Sequence, residues 1–278
     1  MTSVLITGVS SGIGLTTARS LLDRGYYVYG TVRRAEDAAE LAGHASFTAL
    51  VMDVTDRPSI VGALDTIARG AHPLTAVINN AGVAVSGPLE TLAEEDYRRQ
   101  FEVNVFGLLA VCQEALPQLH AAREAGLPNV KIINISSVSG YLTSPFTGIY
   151  SASKFAIEAI TDGLRRELFD FGIDVISVAP GPVKTPIWTK AKTQTKAYEG
   201  TRYEYVLEKI DAYADNAAAD GVVPQVVADD ILTALTTDKP RPDRLVMKKG
   251  WLARLVTLLP KRTQDKMFLK RIKENRRY

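Results

Sequence analysis

The sequence predicts an α/β fold, a doubly wound parallel sheet of seven strands with helices on both faces. Three observations carry that prediction. Short apolar, β-branched runs alternate with longer stretches of helical periodicity along the 278 residues, which is the rhythm of strand–helix–strand units. The first run, Val4-Leu5-Ile6, leads through a glycine turn, Thr7 to Gly14, into an apolar-periodic helix. The chain is 46% apolar and has no linker, low-complexity tract or internal repeat, so one large core suits it better than two.

In chain order, strands are expected at Val4 to Thr7, Val28 to Val32, Phe47 to Met52, Ala76 to Asn79, Lys131 to Ser136, Asp174 to Ala179 and Arg244 to Met247, with helices filling the intervals. Residues 1–278 then form a single domain. Residues 186–223 interrupt the rhythm and are long enough to form a substrate lid, and residues 248–278 form a basic amphipathic C-terminal extension.

The turn after the first strand reads Gly8-Val9-Ser10-Ser11-Gly12-Ile13-Gly14. Such a turn lets backbone approach a pyrophosphate closely, while the following helix offers unpaired N–H groups and the positive end of its dipole. Three glycines could equally serve tight helix–strand packing. Further on, Tyr150-Ser-Ala-Ser-Lys154 lies in a stretch without Gly or Pro, so the phenol and the ammonium share one helical face. A nearby cation favours the phenolate and brings a phenol of pKa about 10 toward neutrality. Thirteen residues before Tyr150, a strand ends in Ser136-Ser137, and period-2 alternation puts Ser137 on the face of Ile133 and Ile135. Asn104 falls inside the apolar stripe of Phe101, Val105 and Leu108, where an amide must find partners or be costly.

These segments, in this order, resemble the short-chain dehydrogenase/reductase family, and the match runs from residue 3 to about residue 235. The glycine spacing Gly-x-x-x-Gly-x-Gly, the segment Asn79-Asn80-Ala81-Gly82 after the fourth strand, and Pro180-Gly181-Pro182-Val183-Lys184-Thr185 after the sixth all fit it. The resemblance implies a Rossmann sheet and a catalytic tetrad of Asn104, Ser137, Tyr150 and Lys154, with Asn104 holding a proton-relay water. It implies cofactor contacts from Gly8, Ser10, Ser11, Gly12, Ile13, Gly14, Arg33, Arg34, Asp53, Val54, Asn80, Ala81, Gly82, Tyr150, Lys154, Pro180, Gly181, Val183 and Thr185. Asp53 would hydrogen-bond the adenine amino group; its other reading is a turn-capping carboxylate. Val103 to Gly107, Ser153 to Glu158 and Thr31 to Arg33 resemble the family's steroid and retinol dehydrogenase-like branch, which implies a hydrophobic ketone, aldehyde or alcohol as substrate.

Coenzyme choice turns on the end of the second strand, where an acid would bind the ribose 2′-hydroxyl of NAD. Here Arg33 and Arg34 follow Val32, and no carboxylate stands at the strand end. Guanidiniums suit a 2′-phosphate, so NADP(H) is the expected cofactor, with NAD(H) as the alternative. Glu36 and Asp37 are expected to cap a helix start, and Ser11 stands where many NADP-using relatives have a basic residue.

Other features exclude or divide. The only cysteine, Cys112, sits among apolar neighbours and reads as a core thiol. His44, His72 and His120 show no ligand spacing, so no metal is expected. No signal peptide and no apolar run near 18 residues is seen, so a cytoplasmic protein is expected. Trp188, Tyr198, Tyr203, Tyr205 and Tyr213 in the lid segment could cover an apolar ligand or pack short helices onto the core. Val83, Val85, Ser86, Tyr141, Leu142 and Phe146 are further pocket candidates.

Residues 239–278 hold fourteen Lys/Arg against three Asp/Glu, a local charge of +11 in a chain of net +2. Without an aromatic-basic recognition motif, nucleic acid is not an expected partner. The apolar run Trp251 to Leu259 could touch a membrane surface or pack on the protein or on a sister subunit of a homo-oligomer, and burial of the stripe decides between them. Two other functions compete with an enzyme: an NADPH-binding regulator without turnover, against which the complete tetrad argues, and a membrane-surface scaffold.

Overall fold

The computed structural model describes residues 1–185, 200–204 and 221–274, with side chains through residue 270. Seven parallel strands form one sheet in the order β3-β2-β1-β4-β5-β6-β7. They are β1 Ser3–Ile6, β2 Tyr27–Val32, β3 Phe47–Val51, β4 Leu74–Asn79, β5 Lys131–Ile135, β6 Asp174–Pro180 and β7 Asp243–Val246. Every expected strand is present, displaced at its ends by two residues at most. The helices among the described residues are α1 Gly12–Leu22, α2 Arg57–Ala68, α3 Glu94–Phe101, α4 Leu108–Glu124, α5 Gly148–Glu167, α6 Pro224–Thr236, α7 Gly250–Thr257 and α8 Lys261–Glu274. Most of the expected lid lies outside the described residues.

Alternation along the strands builds two cores. Val4, Ile6, Ile78, Ile133 and Val178 point to the layer of α1 and α6, where they meet Leu21, Val227 and Ile231. Leu5, Val77, Ile132 and Val175 point to the opposite layer, meeting Ile60 of α2, Val111 and Leu119 of α4, and Ile157 of α5. A sheet covered on both faces needs apolar side chains at successive positions, which is why the strands read as continuous hydrophobic runs. Cys112 is part of the second core, and burial pushes its thiol up to about 12. No described helix is long and apolar enough to cross a membrane.

The strand order reverses between β1 and β4, leaving a crevice at their carboxyl ends. Below it, Asn79 Nδ2 donates to Asn134 Oδ1 on β5 at 2.9 Å, and Asn134 Nδ2 donates to Thr161 Oγ1 of α5 at 2.9 Å. This buried chain ties the two central strands to the helix that carries Tyr150 and Lys154.

Candidate active site

The glycine turn is held by the segment after β4. Thr7 Oγ1 accepts from the backbone N–H groups of Asn80 and Ala81, both at 2.9 Å, and Asn80 Nδ2 donates back to the carbonyls of Thr7 at 2.9 Å and Gly8 at 2.8 Å. Gly8 and Gly12 have φ of +74° and +59°, a region that side chains disfavour. A Cβ at Gly14 would lie 2.2 Å from the Gly8 carbonyl oxygen and 2.5 Å from Asn80 Nδ2. Ser11 precedes α1 without a side-chain capping bond, so its hydroxyl takes none of the helix's first N–H groups. Across the crevice, Thr185 faces the turn, its methyl 3.1 Å from where a Cβ of Gly12 would be. This close-walled cradle with outward N–H groups fits the pyrophosphate of a dinucleotide.

The other expected cofactor contacts surround it. Thr31 Oγ1 and carbonyl anchor Gly8 N at the end of β2, and Arg33 and Arg34 follow, both exposed. Arg34 is engaged: it pairs with Asp37 at 2.8 Å and with Glu36 at 3.5 Å. Asp37 therefore serves as an arginine partner besides lying in a short helical turn. Arg33 has no ion pair among the described residues. Asp53 Oδ1 accepts from Thr55 N at 2.9 Å and Thr55 Oγ1 at 2.8 Å, the turn-capping arrangement. Pro180 closes β6, Gly181 N donates to Val246 O at 3.0 Å, and Val183 bridges to Val222.

Tyr150 occupies the first turn of α5 and Lys154 the second, and Lys154 reaches the end of β5. Lys154 Nζ donates to the Ile135 carbonyl at 2.9 Å and stands 5.7 Å from the centroid of the Tyr150 ring. Lys154 is 7% exposed. Burial pushes its ammonium down to about 8, against the attraction of Glu158, which raises it. Ser137, two residues past Ile135, is buried, and its Oγ accepts from Ser139 N at 3.1 Å.

Asn104 lies not in a regular α-helix, as the periodicity suggested, but in a π-helical segment, Glu102–Gly107, joining α3 to α4. Its Oδ1 accepts from Val83 N at 2.9 Å, and its Nδ2 donates to Val83 O at 3.0 Å and Ser153 Oγ at 3.2 Å. Both amide hydrogens are thus committed, and a relay water could use only the second lone pair of Oδ1 or the main chain.

A family model described as short chain dehydrogenase matches residues 2–196. The NADPH-dependent 3-dehydrocapnine reductase of Ornithobacterium rhinotracheale is 39% identical over 279 residues, covering 99% of this chain and 98% of that protein. The chain belongs to the short-chain dehydrogenase/reductase family. The 3-ketodihydrosphingosine reductase of Bacteroides thetaiotaomicron is 40% identical over 182 residues, covering 66% of this chain and 64% of that one. A crystal structure of a short-chain dehydrogenase from Streptomyces avermitilis superimposes with a TM-score of 0.78 at 28% identity, covering 99% of this chain and 98% of that one.

The candidate site of this short-chain dehydrogenase/reductase also holds residues that pattern reading passed over. Gln100, one turn before Asn104 and fully buried, donates to Val83 O and Ser153 Oγ and accepts from Val85 N at 2.7 Å, so two amides clamp the loop after β4. Its place four residues before Asn104 in the same stripe was the available signal. Val85, expected to line a pocket, is sealed beneath that clamp at 2% exposure. Behind Lys154, Glu158 accepts from Ser177 Oγ at 2.8 Å, and burial raises its carboxyl pKa. Tyr141 OH donates to Asp243 at 3.0 Å, and Asp243 pairs with Arg254 of α7 at 2.9 Å. Tyr141 and Leu142 line a cleft of about 350 Å³ with Val138, Leu245 and the inner side of α7. Phe146 meets Tyr203 edge-on at 6.3 Å; Trp188, Tyr198, Tyr205 and Tyr213 lie outside the described residues.

Proposed function

We propose that this chain is an NADP(H)-dependent oxidoreductase that interconverts a ketone or aldehyde and the corresponding alcohol on a hydrophobic substrate, with Tyr150 as the proton donor in reduction. The observation that carries this reading is the placement of Lys154: its buried ammonium is fixed to the end of β5 and stands over the Tyr150 ring. A cation so placed favours the phenolate, which readies the phenol to give up its proton near neutral pH.

The bound coenzyme supplies the hydride. Tyr150 gives its proton to the oxygen of the substrate carbonyl, and Ser137 donates a hydrogen bond to the same oxygen. Lys154 keeps the phenol acidic and holds ribose hydroxyls. Asn104 and Gln100 position the loop after β4 against α5. Gly8, Gly12 and Gly14 admit the pyrophosphate, and Arg33, without an ion pair among the described residues, takes the 2′-phosphate. The names of two relatives, one a 3-dehydro and one a 3-keto reductase, support a ketone at a third carbon, and one of them supports NADPH. The Leu142 and Leu245 side of the cleft supports an apolar substituent. Exposed Phe106 and Phe155, 54% and 45% accessible on neighbouring helical segments, support a homo-oligomer.

The test is Tyr150→Phe. Turnover of NADPH with a panel of ketones should fall at least a hundredfold, about 3 kcal/mol, while NADPH binding stays near that of the unaltered chain. Near-normal turnover in this variant would remove Tyr150 from the reaction.

A further inference from the structure

Helix α7 is mounted inside out. At about 100° per residue, Trp251, Leu252 and Leu255 share one arc of about 100°, and they are 63%, 41% and 50% exposed; just past the helix end, Leu258 and Leu259 are 80% and 38% exposed. The opposite side, with half-buried Ala253 and Thr257, faces the cleft that Leu258 also lines, and exposed Arg254 at its edge is tied to Asp243 on β7. A helix held only by burial would turn the other way. Here the ion pair of Arg254 with Asp243 anchors the inner side beside a cleft lined by Val138, Leu142 and Leu245, and Trp251, Leu252 and Leu255 are presented outward.

The arc has a charged frame. Lys249 precedes it and Lys261, Arg262 and Lys266 follow on α8, all exposed, within a segment of net charge +11. Exposed Met267 and Leu269, 40% and 51% accessible, lie among these cations on α8. An apolar stripe rimmed by cations complements a surface that is apolar inside and anionic outside. Two copies of this chain meeting through the stripe would instead bring two strongly basic segments together.

We infer that the outer face of α7, with the first turns of α8, docks on the interface of an anionic lipid bilayer. Its inner face lines the cleft at Tyr141 and Leu142, just beyond Ser137. Docking therefore places that cleft beside the lipid, and a substrate with an apolar chain can enter without crossing bulk water. The entry route rests on the proposed reading of the site; the docking surface does not.

The full-length protein tests it with sedimentation on two kinds of vesicle, phosphatidylcholine alone and phosphatidylcholine with phosphatidylglycerol. The unaltered chain should sediment with the anionic vesicles at low salt and be released at high salt. In a Trp188→Phe background, the emission of Trp251 should shift to the blue on binding. Trp251→Glu with Leu255→Glu, and separately Lys261→Glu with Arg262→Glu and Lys266→Glu, should stay in the supernatant while keeping NADPH turnover on a water-soluble aldehyde. Failure to sediment with either vesicle would overturn the inference, as would equal retention on both. So would a lipid-free dimer that Trp251→Glu with Leu255→Glu converts to monomer, because a second copy would then be the occupant. An unaltered chain that binds anionic vesicles yet reduces no carbonyl would count against the proposed reaction and leave the surface standing.

Discussion

Removing the ammonium of Lys154 should stabilise the folded chain at neutral pH while abolishing its activity. The lysine is buried, and its pKa is depressed from 10.5 to about 8 because burial penalises the charged form. At about 1.36 kcal/mol for each pKa unit, keeping it charged in the fold costs about 3 kcal/mol below pH 8. The sign follows from proton counts: between pH 8 and 10.5 the unfolded chain binds the extra proton, so stability rises as pH climbs through that window. Lys154→Met keeps most of the stem and removes the charge. It also leaves the Ile135 carbonyl without its 2.9 Å donor, a loss of about 1 kcal/mol, so the net gain at pH 7 is about 2 kcal/mol. Urea denaturation of the coenzyme-free protein at pH 7 and pH 10 measures it, with the advantage of the variant shrinking at the higher pH. A variant less stable than the unaltered chain by more than about 1 kcal/mol at pH 7 would refute the reasoning and make Lys154 a net contributor to the fold.

Three other outcomes follow from the same geometry. Arg33→Ala should weaken NADPH roughly ten- to a hundredfold with little effect on NADH, whereas Arg34→Ala should cost much less because that guanidinium is occupied by Asp37; coenzyme titrations giving equal losses would contradict the assignment. Gly14→Ala puts a methyl 2.2 Å from the Gly8 carbonyl and should lower stability by about 1–3 kcal/mol and open the turn, so a melting curve and NADPH affinity both unchanged would dismiss the cradle. Glu158→Gln removes the charge that raises the Lys154 pKa, so the basic limb of the pH–rate profile should move to lower pH, and an unmoved limb would separate the two residues.

The fold was legible because the five inner strands, β1, β2, β4, β5 and β6, are buried on both faces. Runs such as Ile132-Ile133 and Val175-Ile176 have no other use in a chain of this length, and the two-sided core accounts for them. The glycine turn and the Tyr150–Lys154 pair were legible because their spacing is a backbone property. What escaped was tertiary. Nothing about Gln100 in the sequence says that its amide reaches the Val83–Val85 loop, because the loop arrives from a different strand. The partner of Arg34 was similarly hidden: Asp37 and Glu36 read as capping acids, and only the geometry of the short turn makes them ion partners. Outward mounting of α7 could not be read from its periodicity either, since an amphipathic pattern fixes the arc and not the side on which the body lies.

The wide turn at Glu102–Gly107 holds one residue more than an α-helix would over the same rise. It therefore acts as a phase shifter in a single continuous rod. Upstream of it Gln100, and within it Asn104, are aimed at the loop and at Ser153; downstream, Val111, Ala115 and Leu119 are aimed at the sheet. Losing one residue here would leave both halves helical and both sequences intact, yet turn one half by about 100° relative to the other. Chain length at this point is thus as much a determinant of the site as residue identity, and a one-residue deletion between 102 and 107 would do more damage than most substitutions within it.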